Sequence, residues 1–254
     1  MRKVFNYFSD FYNLKSNDII VASYPKSGNT RIRLAIAKYF QIKNNLTNDF
    51  NYQFTNQILP EIGRGNIKSS RKILSNYVND VSPVLFVKSH LPYSVLRYFL
   101  KGNSILYIDR LDCETLMSFY DYSIARKIIS SDVSFSQFLR SKSGIKGFSS
   151  YLKSWNSVKK VEISYNDLIN NDISTIINSL NEVGFVYDEV LMTQAIVETR
   201  RNKTSKISNV LDANSNYNFA MKRDRSISKY FSNLEDINFY NDNISSTGLK
   251  KITN

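Results

Sequence analysis

The sequence predicts an α/β fold, a central parallel sheet flanked by helices. Three observations predict it. Four short runs are apolar throughout and rich in β-branched residues, the pattern of strands buried on both faces. Stretches with helical spacing of apolar residues alternate with those runs. The 254 residues suffice for one α/β core, and neither an internal repeat nor a low-complexity linker divides them, so a single domain over residues 1–254 is expected.

The first run is Asp18–Tyr24 (DIIVASY). It leads through Pro25–Asn29 into a predicted helix over Thr30–Phe40, where Ile32, Ala35, Ile36 and Tyr39 recur at helical spacing. Gln41–Val81 is long, polar and weakly patterned; it reads either as an insertion that shapes a substrate entrance or as ordinary surface helix and loop. The second and third runs are Val84–Lys88 (VLFVK) and Ser104–Asp109 (SILYID). Asp112 is the expected N-cap of a helix running through Tyr122. The fourth run, Val161–Tyr165 (VEISY), lies between predicted helices over Phe148–Val158 and Ser174–Val183.

Composition narrows the function. An apolar fraction of 42% is that of a folding chain. The formal net charge of +12 fits attraction of an anionic ligand, and it equally fits a sequence simply rich in Lys, Asn and Ile. A basic nucleic-acid-binding protein is therefore one rival reading, but zinc-finger spacing, RNP-type motifs and a basic coiled coil are all missing. The single cysteine, Cys113, rules out an internal disulfide framework and a cysteine-based zinc cluster, and it suits a reducing cytoplasm. No apolar run has the length of a signal peptide core or a membrane span.

The segment Tyr24-Pro25-Lys26-Ser27-Gly28-Asn29-Thr30 joins a strand to a helix. Such a junction binds anions, because free backbone N–H groups and the helix dipole converge there. Gly28 permits a tight turn, Ser27, Asn29 and Thr30 offer side-chain donors, and Lys26 offers a charge. The second rival, a P-loop nucleotide kinase, needs a lysine directly after the second glycine. Asn29 stands there, Ser23 stands where the first glycine belongs, and the lysine lies two residues before Gly28. No acidic magnesium-ligand motif accompanies the loop, and no metal is expected.

YPKSGNT resembles the 5′-phosphosulfate loop (YPKSGTTW) of the cytosolic-type sulfotransferases that use 3′-phosphoadenosine 5′-phosphosulfate (PAPS) and release 3′-phosphoadenosine 5′-phosphate (PAP). The chain departs at Asn29 and at Arg31, where the family has a tryptophan near the adenine. Lys88-Ser89-His90-Leu91-Pro92, at the end of the second run, resembles the family's K-T-H-L-P. That resemblance makes His90, the only histidine, the general base, and places Lys26 and Lys88 at the developing charge of the bridging oxygen. Arg110 and, eight residues on, Ser118 resemble the pair that holds the 3′-phosphate, with the usual proline lost from RLDCETLMS. Tyr165 and Thr199 match positions near the adenine. Lys222 and Arg223, in Phe219–Phe231, match a shortened form of the segment that folds over the nucleotide, or else form a basic loop facing solvent. Trp155 reads as a packing residue.

The resemblance spans most of Asp18–Ile237. It implies a P-loop-kinase-like sulfotransferase architecture and sulfuryl transfer from PAPS to a hydroxyl or amine of a small-molecule or glycan acceptor. The family's dimerisation signature is not recognisable after Lys229, so a homodimer stays open.

Overall fold

The computed structural model describes residues 2–78, 83–200, 226–244 and 247–253. Four strands, β1 (Ile19–Ser23), β2 (Phe86–Ser89), β3 (Ile105–Asp109) and β4 (Val161–Ser164), form one sheet in the order β2-β1-β3-β4. Every pairing is parallel. The four runs read from the sequence are these four strands, shifted by no more than two residues at either end. β1 and the first four residues of β3 are buried, as their unbroken apolar character requires.

Helices cover the sheet. They are α1 (Arg2–Asn13), α2 (Asn29–Lys43), α3 (Tyr52–Ile58), α4 (Ile67–Val78), α5 (Tyr93–Leu96), α6 (Cys113–Ala125), α7 (Phe135–Arg140), α8 (Ile145–Trp155), α9 (Tyr165–Asn170), α10 (Asp172–Glu182), α11 (Glu189–Glu198), α12 (Ile227–Tyr230) and α13 (Leu234–Asn243). Asp112 caps α6 as expected: its side chain accepts from the Thr115 amide. The predicted Thr30–Phe40, Phe148–Val158 and Ser174–Val183 helices are α2, α8 and α10. α8 starts three residues earlier than predicted and ends three residues earlier. Trp155, fully buried against Tyr93 and Tyr107, is the packing residue the sequence suggested.

Asp18, at the entry to β1, is fully buried and holds three segments together. Its Oδ2 accepts from Arg71 Nη2 (2.6 Å) and the Lys15 amide (2.8 Å), and its Oδ1 accepts from Arg71 Nη1 (3.0 Å) and the Leu85 amide (3.1 Å). Arg71 of α4 also donates to the carbonyls of Pro83 and Asn13. Asp18→Ala would leave the Arg71 guanidinium buried without its counter-charge. Equilibrium denaturant unfolding should record a loss of about 3–5 kcal/mol, whereas a loss under about 1 kcal/mol would contradict this role.

Candidate active site at the strand ends

Registers Ala22↔Ser89, Ser23↔Ile108 and Asp109↔Ser164 bring the carboxyl ends of all four strands level. Ligand sites of open parallel sheets lie at this edge. The three motifs that are far apart in sequence follow β1, β2 and β3, so the sheet alone gathers them.

The loop after β1 is a cradle of backbone donors. Lys26 and Gly28 both have positive φ, 74° and 98°. Alternating left- and right-handed residues turn successive N–H groups toward one concavity. The amides of Gly28, Asn29 and Thr30 hydrogen-bond to no described atom, and they stand at the N-terminus of α2. A Cβ on Gly28 would lie 2.8 Å from Tyr165 Cδ2, so both the backbone angle and the close approach require glycine. Lys26 Nζ lies 5.1 Å from the centre of the Tyr122 ring.

Asn29 corrects the sequence reading. Its Nδ2 donates inward, to the Val21 carbonyl (3.2 Å) and Ser23 Oγ (3.3 Å). The side chain thus ties the loop to β1, and only its backbone amide faces the cradle. A polar loop residue with a buried carbonyl in reach satisfies that carbonyl first.

His90 follows β2 and points back to β1. Its Nδ1 is 2.7 Å from the Ser23 carbonyl oxygen. A carbonyl only accepts, so Nδ1 carries the hydrogen and Nε2 keeps the lone pair. Burial, aided by the Lys88 charge, lowers the imidazole from its ordinary 6.5 to about 3. His90 is therefore neutral across the physiological range, with its lone pair on Nε2. NMR of the one histidine should show this tautomer unchanged from neutrality down to about pH 5, with an inflection near 6.5 contradicting it. The folded value lies below the unfolded one, so the contribution of His90 to stability is complete above pH 6.5 and is lost as pH falls toward 3.

Beside His90 stands an ion pair that the sequence did not reveal. Lys88 Nζ is 3.0 Å from Glu61 Oε2. Glu61 comes from the weakly patterned Gln41–Val81 region, where Lys88 N donates to the Pro60 carbonyl and Ile62 N to the Lys88 carbonyl, extending the sheet by one bridge. Burial lowers Lys88 to about 8 against the pull of Glu61; burial would raise Glu61, but the Lys88 charge and hydrogen bond, helped by Arg64, outweigh it and hold Glu61 at about 2. Arg33, buried on α2 and donating to Asn56 Oδ1 and the Leu59 carbonyl, adds a further positive charge that acts on both Lys88 and His90. The Lys88 ammonium is thus bonded to Glu61.

Arg110 stacks on Tyr165, with its guanidinium carbon 4.1 Å from the ring centre. Tyr165 touches both Gly28 and Arg110 and so links the first and third motifs. Arg110 Nε donates to Asp112 and Nη2 to Glu114, both on the α6 end; its Nη1 donates to no described residue. Ser118 is buried on α6, and its hydroxyl makes no hydrogen bond to a described residue. Arg31 Nη1 donates to Thr199 Oγ1 (2.7 Å), and its Nη2 donates to Asp172 Oδ2 (2.6 Å) and the Ile196 carbonyl (2.7 Å). Arg31 and Thr199 are therefore brought together, locked by Asp172, which also pairs with Arg200. Lys222 and Arg223 lie outside the described residues.

Known proteins share this chain's family and fold. The family model for the sulfotransferase domain matches residues 16–232, and the chain belongs to that family. Its fold is that of mouse sulfotransferase SULT7A1, solved with PAP, at a TM-score of 0.61 and 15% identity, covering 94% of this chain and 87% of that one. It is similar too to retinol dehydratase solved with androsterone and PAP, at a TM-score of 0.57 and 18% identity over 96% and 87% of the two chains. No curated protein matches the sequence. Among the described residues, no helix is long and apolar enough to cross a membrane.

Proposed function

We propose that this sulfotransferase moves the sulfuryl group of PAPS to a hydroxyl or amine of a small-molecule or glycan acceptor, with His90 as general base. The observation that carries the proposal is the His90–Ser23 hydrogen bond, which ties a neutral imidazole to the last residue of β1, directly before the phosphate loop, and leaves the lone pair on Nε2. As the acceptor oxygen or nitrogen bonds to sulfur, Nε2 takes its proton. The bond between sulfur and the bridging oxygen breaks, and PAP leaves with that oxygen. Lys26, Ser27 and the amides of Gly28, Asn29 and Thr30 stabilise the 5′-phosphate and the charge that grows on the bridge. Arg110 and Ser118 take the 3′-phosphate.

Tyr165 and the Arg31–Thr199 pair wall the adenine, and Lys222 and Arg223 close over the nucleotide. Lys88, steered by Glu61, forms the acceptor side of the site, where its charge reaches the transition state. The buried free thiol of Cys113 fits a cytoplasmic location.

Calorimetric titration tests the nucleotide part. PAP should bind at least about tenfold more tightly than AMP, because charge-assisted bonds from arginine are worth about 1.5–3 kcal/mol each. Equal affinities would overturn the assignment of Arg110 and Ser118.

A further inference from the structure

Helix α1 has two faces with different tasks. Its inner face is packed: Phe11 stacks on Phe99 with ring centres 3.5 Å apart, and Leu14 is buried. Buried Asp10 accepts from the amides of Gly63 and Gly65, each at 2.8 Å, and of Ile67 at 3.2 Å. Tyr7 lies so close to Gly63 that a Cβ there would come within 2.5 Å of its ring. The inner face therefore clamps the loop that begins at Glu61.

The outer face is apolar and uncovered. Val4, Phe5, Phe8 and Tyr12 are exposed to 59, 73, 63 and 86%. Positions 4, 8 and 12 follow one another at helical spacing, with 5 beside them, so they form a single stripe. Tyr98, the chain neighbour of Phe99, adds a ring exposed to 71%. Scattered apolar residues on a surface need no explanation, but a stripe of aromatics on one helix does.

The charges around this stripe have one sign. Lys15, Arg64, Lys68, Lys72, Arg97 and Lys101 are exposed. The carboxylates of the same segments are withdrawn: Asp10 and Asp18 are buried, and Glu61 is paired with Lys88. A cleft of about 430 Å³ joins the aromatic and basic parts, with Tyr12, Lys15, Lys68 and Lys101 among its lining residues.

We propose that α1 is an interfacial docking helix that seats this protein on an anionic phospholipid bilayer. Phe5 and Phe8 enter the boundary between headgroups and acyl chains, Tyr12 lies at headgroup level, and Lys15, Lys68 and Lys72 meet the lipid phosphates. A short amphipathic helix with aromatics on one side and lysines beside them binds by buried apolar area plus attraction to anionic lipid. Because the inner face of α1 clamps the Glu61 loop, the docking helix and that wall of the candidate site form one packed unit.

The test is co-sedimentation of the full chain with vesicles of phosphatidylcholine alone and of phosphatidylcholine mixed with phosphatidylglycerol. Retention on the anionic vesicles, weakened by salt, is expected, with little on the neutral ones. Each basic residue at an anionic surface is worth about fivefold, so Lys68→Gln/Lys72→Gln should lose at least about tenfold in partitioning. Phe5→Ser/Phe8→Ser should lose a similar factor while keeping its circular dichroism and thermal unfolding, since both rings are largely exposed. Absent or equal retention on the two lipid mixtures, or variants that partition like the wild type, would overturn the proposal. So would a concentration-dependent dimer abolished by Phe5→Ser/Phe8→Ser, which would identify a second copy of the chain as the cover. The readout needs no nucleotide, so its outcome is independent of the transfer chemistry.

Discussion

His90→Ala is expected to slow sulfuryl transfer by about 10²–10⁴-fold, the usual worth of a general base. PAP binding should stay within a few-fold of wild type, because the proposal assigns the phosphate contacts to Lys26, the loop amides, Arg110 and Ser118. The substitution also removes the donor to the Ser23 carbonyl, so a structural cause must be separated from a chemical one. His90→Asn does that. Its amide can still donate to Ser23, yet it has no basic nitrogen, and it should be as inactive as the alanine variant. Single-turnover transfer from PAPS, beside calorimetric PAP binding, reads both quantities. Near wild-type turnover in either variant would place the base elsewhere.

Arg110→Ala should erase most of the preference for PAP over AMP, a loss of about 10–150-fold in PAP affinity for one charge-assisted arginine contact. AMP binding should change little. The structure adds a companion variant. Glu114 holds Arg110 Nη2 and, as a carboxylate, opposes an incoming phosphate dianion. Glu114→Gln removes that like charge and loosens the grip on the fork, so PAP should bind more tightly; the gain is modest because Glu114 is half exposed and screened by solvent. Unchanged PAP affinity in Arg110→Ala would dismiss this arginine as the 3′-phosphate ligand.

The strands were legible because a run buried on both faces has nothing to hide: the centres of DIIVASY and SILYID, Ile19–Ala22 and Ile105–Ile108, are apolar residue after residue, whatever packs on them. Asp112 was legible as a cap because capping is decided within one turn. The site was legible where it is contiguous, as in Lys26–Thr30 or Lys88–His90. It was not legible where partners meet from distant segments. Glu61 reaches Lys88 only because an unpatterned stretch adds a bridge to the sheet edge, and Asp172 meets Arg31 only through the packing of α2 against the α10–α11 pair. Asn29 shows a different limit. A loop amide can serve a ligand or its own strand, and only the fold brought the Val21 carbonyl within reach. The Arg110–Glu114 pair was present in the sequence at helical spacing, masked by the stronger reading of Arg110 with Ser118.

Sulfuryl transfer itself is tested by incubation of the protein with PAPS and a pool of hydroxyl and amine acceptors, followed by mass spectrometry. PAP and an acceptor carrying one additional sulfuryl group should appear in equal amounts, both should depend on the acceptor pool, and neither should appear with His90→Asn. PAPS left intact across the pool by a protein that binds PAP tightly would contradict it, and would make the chain a nucleotide-binding relative that does not turn over.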